Sequence, residues 1–172
     1  AKAVVPVAQP RQWGPRTHRC EFAQPTSTLM LAWRTPTSNH PDAAALSILG
    51  SILGDGRSAW LYKKFHDELG LAHDVSLMPI PDRTGEGALV LEFDVDREKR
   101  DELRDAVLEF MRTLPEAAFD EARRRSRRQM LTGRLRGLST VQGVANVLGM
   151  SWHLSRNPNS MEEWDAALEQ VT

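Results

Sequence analysis

Leu89, Leu91, Phe93 and Val95 alternate with Val90, Glu92 and Asp94. A period of two sends successive side chains to opposite faces, so this run specifies a half-buried β-strand and fixes which of its faces must be covered. Val75 and Leu77 mark a shorter strand just before it, which Pro79 and Pro81 are expected to stop. No crossover helix fits between the two, and neighbouring strands joined without one pair antiparallel. The apolar run Leu29-Met30-Leu31-Ala32-Trp33, closed by Thr35-Pro36, reads as a buried strand further upstream.

Helical periodicity fills the rest. Pro41 suits the first turn of a helix that turns Ala45, Leu46, Ile48, Leu49, Ile52 and Leu53 inward and ends at Gly54-Asp55-Gly56. Leu61, Phe65 and Leu69, four apart, give a second helix with Gly70 as its C′ residue. Beyond Arg97 the pattern is helical to the end, with Leu103, Val107, Phe110, Met111 and Leu114 on one stripe. Thr113–Glu116, Ser139–Gln142 and Ser160–Glu163 match the capping-box spacing. The order is strand, two helices, two strands, then four helices. The expected fold is α+β, an antiparallel (mixed) sheet with helices packed on one face.

Composition narrows function by exclusion. Among 172 residues, 22 Lys and Arg face 23 Asp and Glu, a net charge of −1. That balance lacks the electrostatic attraction of a dedicated nucleic-acid or anionic-membrane protein. No run is long and apolar enough for a membrane helix, and none reads as a signal peptide. A soluble chain is expected, with cytoplasm and periplasm both compatible. Cys20 is the single cysteine, which excludes an internal disulfide framework and any Cys-based zinc site. Residues 1–25 carry Pro6, Pro10, Pro15 and Pro25 and read as a linker or edge segment, with one domain over 26–172. The chain starts at Ala1 and stops at Thr172, a good N-cap residue, so it is read as a domain truncated at its C-terminal end.

Self-contained catalysis finds no support. The histidines His18, His40, His66, His73 and His153 form neither H-E-x-x-H nor H-x-x-E-H, and His18-Arg19-Cys20-Glu21 is followed by Phe22. No G-x-S-x-G elbow or phosphate-binding loop is present. Gly54-Asp55-Gly56-Arg57-Ser58 lacks a P-loop lysine and fits a turn with Ser58 as N-cap. The arginines 123, 124, 125, 127, 128, 134 and 136 follow Glu116, Asp120 and Glu121, the order that complements a helix dipole. With Phe119 the only aromatic nearby, a solvated helix face with Asp120–Arg124 and Glu121–Arg125 pairs is favoured over a nucleic-acid surface. Leu148, Met150 and Trp152 suit either core or an interface with a partner domain. From the residues alone, His66 and His73 read as surface histidines flanking Gly70.

One ordered block goes further. Leu31-Ala32-Trp33-Arg34-Thr35-Pro36, Pro41-Asp42, Ile52 to Tyr62 (ILGDGRSAWLY) and Asp67 to Val75 (DELGLAHDV) resemble the C-terminal domain of the M16 metallopeptidases, the insulinase and pitrilysin family that includes the mitochondrial processing peptidases. Weaker agreement continues through Phe119-Asp120-Glu121-Ala122 to Trp164, Val171 and Thr172. The resemblance implies a LuxS/MPP-like metallohydrolase fold and a division of labour. A first domain holds zinc with H-x-x-E-H and a distal Glu, while a second, without ligands, closes a chamber around an extended peptide. This chain resembles the second kind, with no catalytic or metal-binding residue of its own and zinc expected in the partner domain. The implied partners are that zinc-bearing domain, in the same chain or a separate subunit, and the peptide. The resemblance places Gly54, Gly56, His66 and His73 near substrate. His66 and His73 stand where active members often carry Arg and Tyr, a departure that also suits a scaffold or assembly subunit without proteolytic activity.

Overall fold

The computed structural model describes residues 10, 12–82, 85–114 and 119–171. Pro6, Glu116 and Thr172, each used in the sequence reading, lie outside the described residues. The elements run β1 (Ser27–Thr35), α1 (Ala43–Gly54), α2 (Trp60–Tyr62) continuing as a π-helical stretch (Lys63–Glu68), β2 (Asp74–Ile80), β3 (Gly87–Val95), α3 (Arg100–Arg112), α4 (Phe119–Gly137), α5 (Val141–Ser155) and α6 (Ser160–Gln170). The order is the one the periodicities predict.

The three strands form one antiparallel sheet, ordered β1-β3-β2. Leu31 and Leu77 flank Leu91 across the sheet, and Leu29 and Val75 flank Phe93. This inward layer meets α2, the π-helical stretch and α3 in a core built on Leu53, Leu61, Phe65, Leu91, Phe93, Val95, Leu103 and Val107. Phe65 sits edge-on to Phe93 and Phe110, with ring centroids 5.7 and 5.6 Å apart. The opposite parity leaves Met30, Met78 and Ile80 about half exposed on the other face of the sheet. Helices therefore gather on one face, as the α+β reading requires.

Helix α1 serves two cores. Leu53 joins the sheet core, while Ala44, Ile48 and Ile52 face a second cluster with Ala122 of α4 and Leu168 of α6. Ala45, expected inward, is exposed, and its neighbour Ala44 takes the buried place. The C-terminal end of α1 presses on β2, where a Cβ on Gly54 would fall 2.2 Å from Leu77 Cβ.

Several boundaries differ from the sequence reading for local reasons. Strand β2 continues through Pro79 to Ile80 because it is an edge strand, where a missing N–H costs no ladder bond. Helix α1 begins after Asp42 rather than at Pro41. The cap of α2 is Ala59, not Ser58. Thr140 Oγ1, rather than Ser139, accepts the Gly143 N–H at 3.1 Å. Asn159 precedes α6, so Ser160 is already helical. Leu69, expected on the buried stripe with Leu61 and Phe65, is 45% exposed. Its N–H donates to Lys64 O five residues back at 3.1 Å, and a π turn rotates the residues at its C-terminal end off the helical stripe.

The Gly54 contact has a measurable consequence. Gly54→Ala overpacks the α1–β2 junction and is expected to destabilise the fold by about 1–3 kcal/mol. Gly133→Ala in α4, with nothing within 4 Å of the new methyl, is expected to stabilise by about 0.5–1 kcal/mol. Urea midpoints of the two variants should move in opposite directions; movement of both upward would contradict the packing.

Candidate functional site

The residues that the family resemblance singles out lie around two turns, one before α2 and one after the π-helical stretch. The first is the turn after α1. Gly54 closes the helix against Leu77, which accounts for the absence of a side chain there, and Gly56 at φ 75° provides the left-handed step. Gly56 O accepts the Ala59 N–H at 3.0 Å, which leads the chain into α2.

The second turn comes after the π-helical stretch. Gly70, at φ 60°, reverses the chain so that Leu71 and Ala72 both donate to Phe65 O, at 2.9 and 3.0 Å. His66 lies before this reversal and His73 after it. The His66 ring stacks on Tyr62, with centroids 4.4 Å apart and planes 19° apart, and its Nδ1 lies 2.8 Å from Asp67 Oδ1. His73 donates its backbone N–H to Asp94 O at 2.7 Å, which joins it to the end of the sheet. Its Nε2 lies 2.8 Å from Asp96 Oδ1. Lys99 Nζ is 3.5 Å from Asp96 Oδ2 and donates to Gly70 O at 3.3 Å. The two histidines thus share the Gly70 turn but no hydrogen bond, and each has its own carboxylate.

The hydrogen bond from His73 holds the Asp96 carboxyl below its ordinary value of 3.8, against a smaller opposing effect of desolvation and with help from the charges of His73 and Lys99. Beside this pair the open face of the sheet carries a groove of about 260 Å³ lined by Gln24, Thr26, Thr28, Asp74, Ser76, Glu92 and Asp94. Asp74 pairs with Asp94 across the strands, and Ser76 pairs with Glu92. Sequence reasoning missed Asp96, Lys99, Tyr62 and this groove. Strand parity placed Glu92 and Asp94 together, but only the β2–β3 register brings Asp74 beside them.

The arginine-rich helix is less solvated than expected. Arg134 pairs with Asp165 and bonds Met161 O, and Arg127 donates to Glu169 O at 3.0 Å, so both tie α4 to α6. Asp120 pairs with Arg123 at 3.1 Å, three residues on, rather than with Arg124. Leu148, Met150 and Trp152 of α5 are each about half exposed, so they are not core.

The sequence profile of the Peptidase M16 inactive domain matches residues 2–130. The chain belongs to this family. Its fold agrees: a protease from Helicobacter pylori superimposes with a TM-score of 0.73 at 16% identity, over 88% of this chain and 36% of that one. The inactive peptidase domain of a putative zinc protease from Bordetella parapertussis gives 0.70 at 19% identity, over 89% of this chain and 81% of its own. The periplasmic protease PqqL from Escherichia coli gives 0.71 at 19% identity, over 88% of this chain and 17% of that one. No curated protein matches. The chain therefore spans about a third of the Helicobacter protease and less of PqqL.

Zinc, which the M16 family implies, does not fit the side chains here. Among the described residues no group of three His, Cys, Asp or Glu side chains is arranged to hold a metal ion. His66 and His73 each stand with one carboxylate, short of the three protein ligands of a catalytic zinc. No described helix is long and apolar enough to cross a membrane.

The Asp96 pair sets an acid response. A carboxylate with a depressed folded value contributes stability above its unfolded value, and loses it as pH falls through the lower, folded one. Asp96→Asn should therefore lower the urea midpoint at neutral pH, and the gap from the unmutated chain should close as pH falls below 3.8. A gap independent of pH would contradict the pairing.

Proposed function

We propose that this domain is the non-catalytic part of an M16-type zinc endopeptidase. It encloses an extended peptide substrate and packs against a zinc-bearing domain, in the same chain or in a separate subunit. Membership of the M16 inactive-domain family carries the reading. Two features of the molecule support it. The side chains of the described residues do not suit zinc, and one face of the sheet, with a polar groove at its end, is left uncovered for a partner. Zinc in the other domain would supply the activated water.

In this reading the two glycine turns form part of the chamber wall. Gly56, with nothing within 4 Å of where a Cβ would stand, lets the chain pass close to the peptide, while Gly54 seats that turn against Leu77. His66 and His73 approach the peptide from either side of the Gly70 turn and bind it by hydrogen bonds. Neither ring forms a bond in the reaction.

The test is cleavage of a quenched unfolded peptide by the longer parent protein, with and without a zinc chelator. Cleavage should be abolished by the chelator. Loss of one hydrogen bond to substrate predicts that His66→Ala and His73→Ala each lower kcat/KM by about threefold to tenfold. Chelator-sensitive cleavage indifferent to both substitutions would remove the histidines from the substrate. No cleavage of any unfolded peptide would overturn the proteolytic reading and leave a scaffold or assembly subunit.

A further inference from the structure

Each of the two imidazoles at the Gly70 turn has one nitrogen committed to a carboxylate, and the committed nitrogens differ. His66 uses Nδ1, 2.8 Å from Asp67 Oδ1. His73 uses Nε2, 2.8 Å from Asp96 Oδ1. A carboxylate accepts hydrogen bonds and does not donate them, so in each neutral ring the proton sits on the tethered nitrogen. The free nitrogens, His66 Nε2 and His73 Nδ1, then carry lone pairs.

Both rings are also held in place. Stacking on Tyr62 fixes the plane of His66. Asp96 is itself engaged by Lys99, whose ammonium bonds Gly70 O, so the carboxylate that orients His73 is anchored to the turn. We infer that Asp67 and Asp96 are positioning residues that fix opposite tautomers of His66 and His73. The pair then offers a peptide two hydrogen-bond acceptors. The inference rests on the proposal that these histidines face substrate, and it deepens it. A wall built this way reads a peptide through its N–H groups, the backbone amides and Lys or Arg side chains, and not through its carbonyls. Asp74 and Asp94, at the same end of the sheet, are further acceptors.

Two measurements separate the inference from its premise. Long-range proton–nitrogen correlation spectra of the 172-residue chain, recorded on the high-pH plateau of the imidazole shifts, should show His66 as the Nδ1–H tautomer and His73 as the Nε2–H tautomer. Asp67→Ala and Asp96→Ala should each convert only the dependent ring to a mixture, with backbone shifts elsewhere unchanged. Two rings in one tautomer, or tautomers indifferent to the aspartates, would overturn the inference and leave the proposed function standing.

The second measurement is the affinity of the chelated parent protein for a fluorescein-labelled unfolded peptide containing lysine. His66→Leu and His73→Leu should weaken binding by about threefold to tenfold. His66→Gln and His73→Asn, which return an acceptor near Nε2 and Nδ1 respectively, should restore it to within about twofold. Affinity in all four variants equal to that of the unmutated protein, with the tautomers as inferred, would overturn the peptide-facing premise instead. Weakening in the Gln and Asn variants as large as in the Leu variants would contradict the acceptor role.

Discussion

The inward row of β3 is closed to solvent from Leu91 to Val95, and the other elements take their places from what they must cover on it. β1 and β2 extend the row sideways, with Leu31 and Leu77 beside Leu91. Phe65 from the π-helical stretch and Leu103 and Val107 from α3 lie across it. Helix α1 is drawn to the same layer through Leu53, and its end fits only because Gly54 leaves room for Leu77. Burying a side chain of this size stabilises by about 1.5–3 kcal/mol, so this layer outweighs the exposed ion pairs, which contribute about 0–1 kcal/mol each.

That layer also places the candidate site. Phe65 must point into the core, and the π turn around it lets the next residue, His66, stand beside Tyr62 at the surface. Gly70 then returns the chain to Phe65 O, so that β2 can start against β3. His73, the last residue before β2, is held by Asp94 backbone and Asp96 side chain. The positions of both histidines are thus consequences of core packing, while their tautomers depend on surface carboxylates. The first is hard to change by substitution at the surface, and the second is easy.

Most of the fold was legible because its signals are periodic and local. The alternation from Leu89 to Val95 marked β3 and its buried face, and the Leu103–Val107–Phe110 stripe marked α3. The inactive-domain match runs over residues 2–130 and so spans the ordered block on which the family resemblance rests. What escaped was set by tertiary context. The edge position of β2 lets it pass through Pro79, and the π turn takes Leu69 out of the apolar stripe. Asp96 lies 23 residues from His73, and Asp74 meets Asp94 only through strand register, so no motif spacing reveals either pairing.

The central claim is that this M16 inactive domain contributes the Gly70 turn and the neighbouring end of its sheet to peptide binding. Hydrogen–deuterium exchange of the chelated parent protein, with and without an unfolded peptide, tests it most directly. Peptide binding is expected to add protection across residues 63–76, with α4 and α6 unchanged. Binding that protects the zinc-bearing domain and leaves residues 63–76 as they were would contradict the claim.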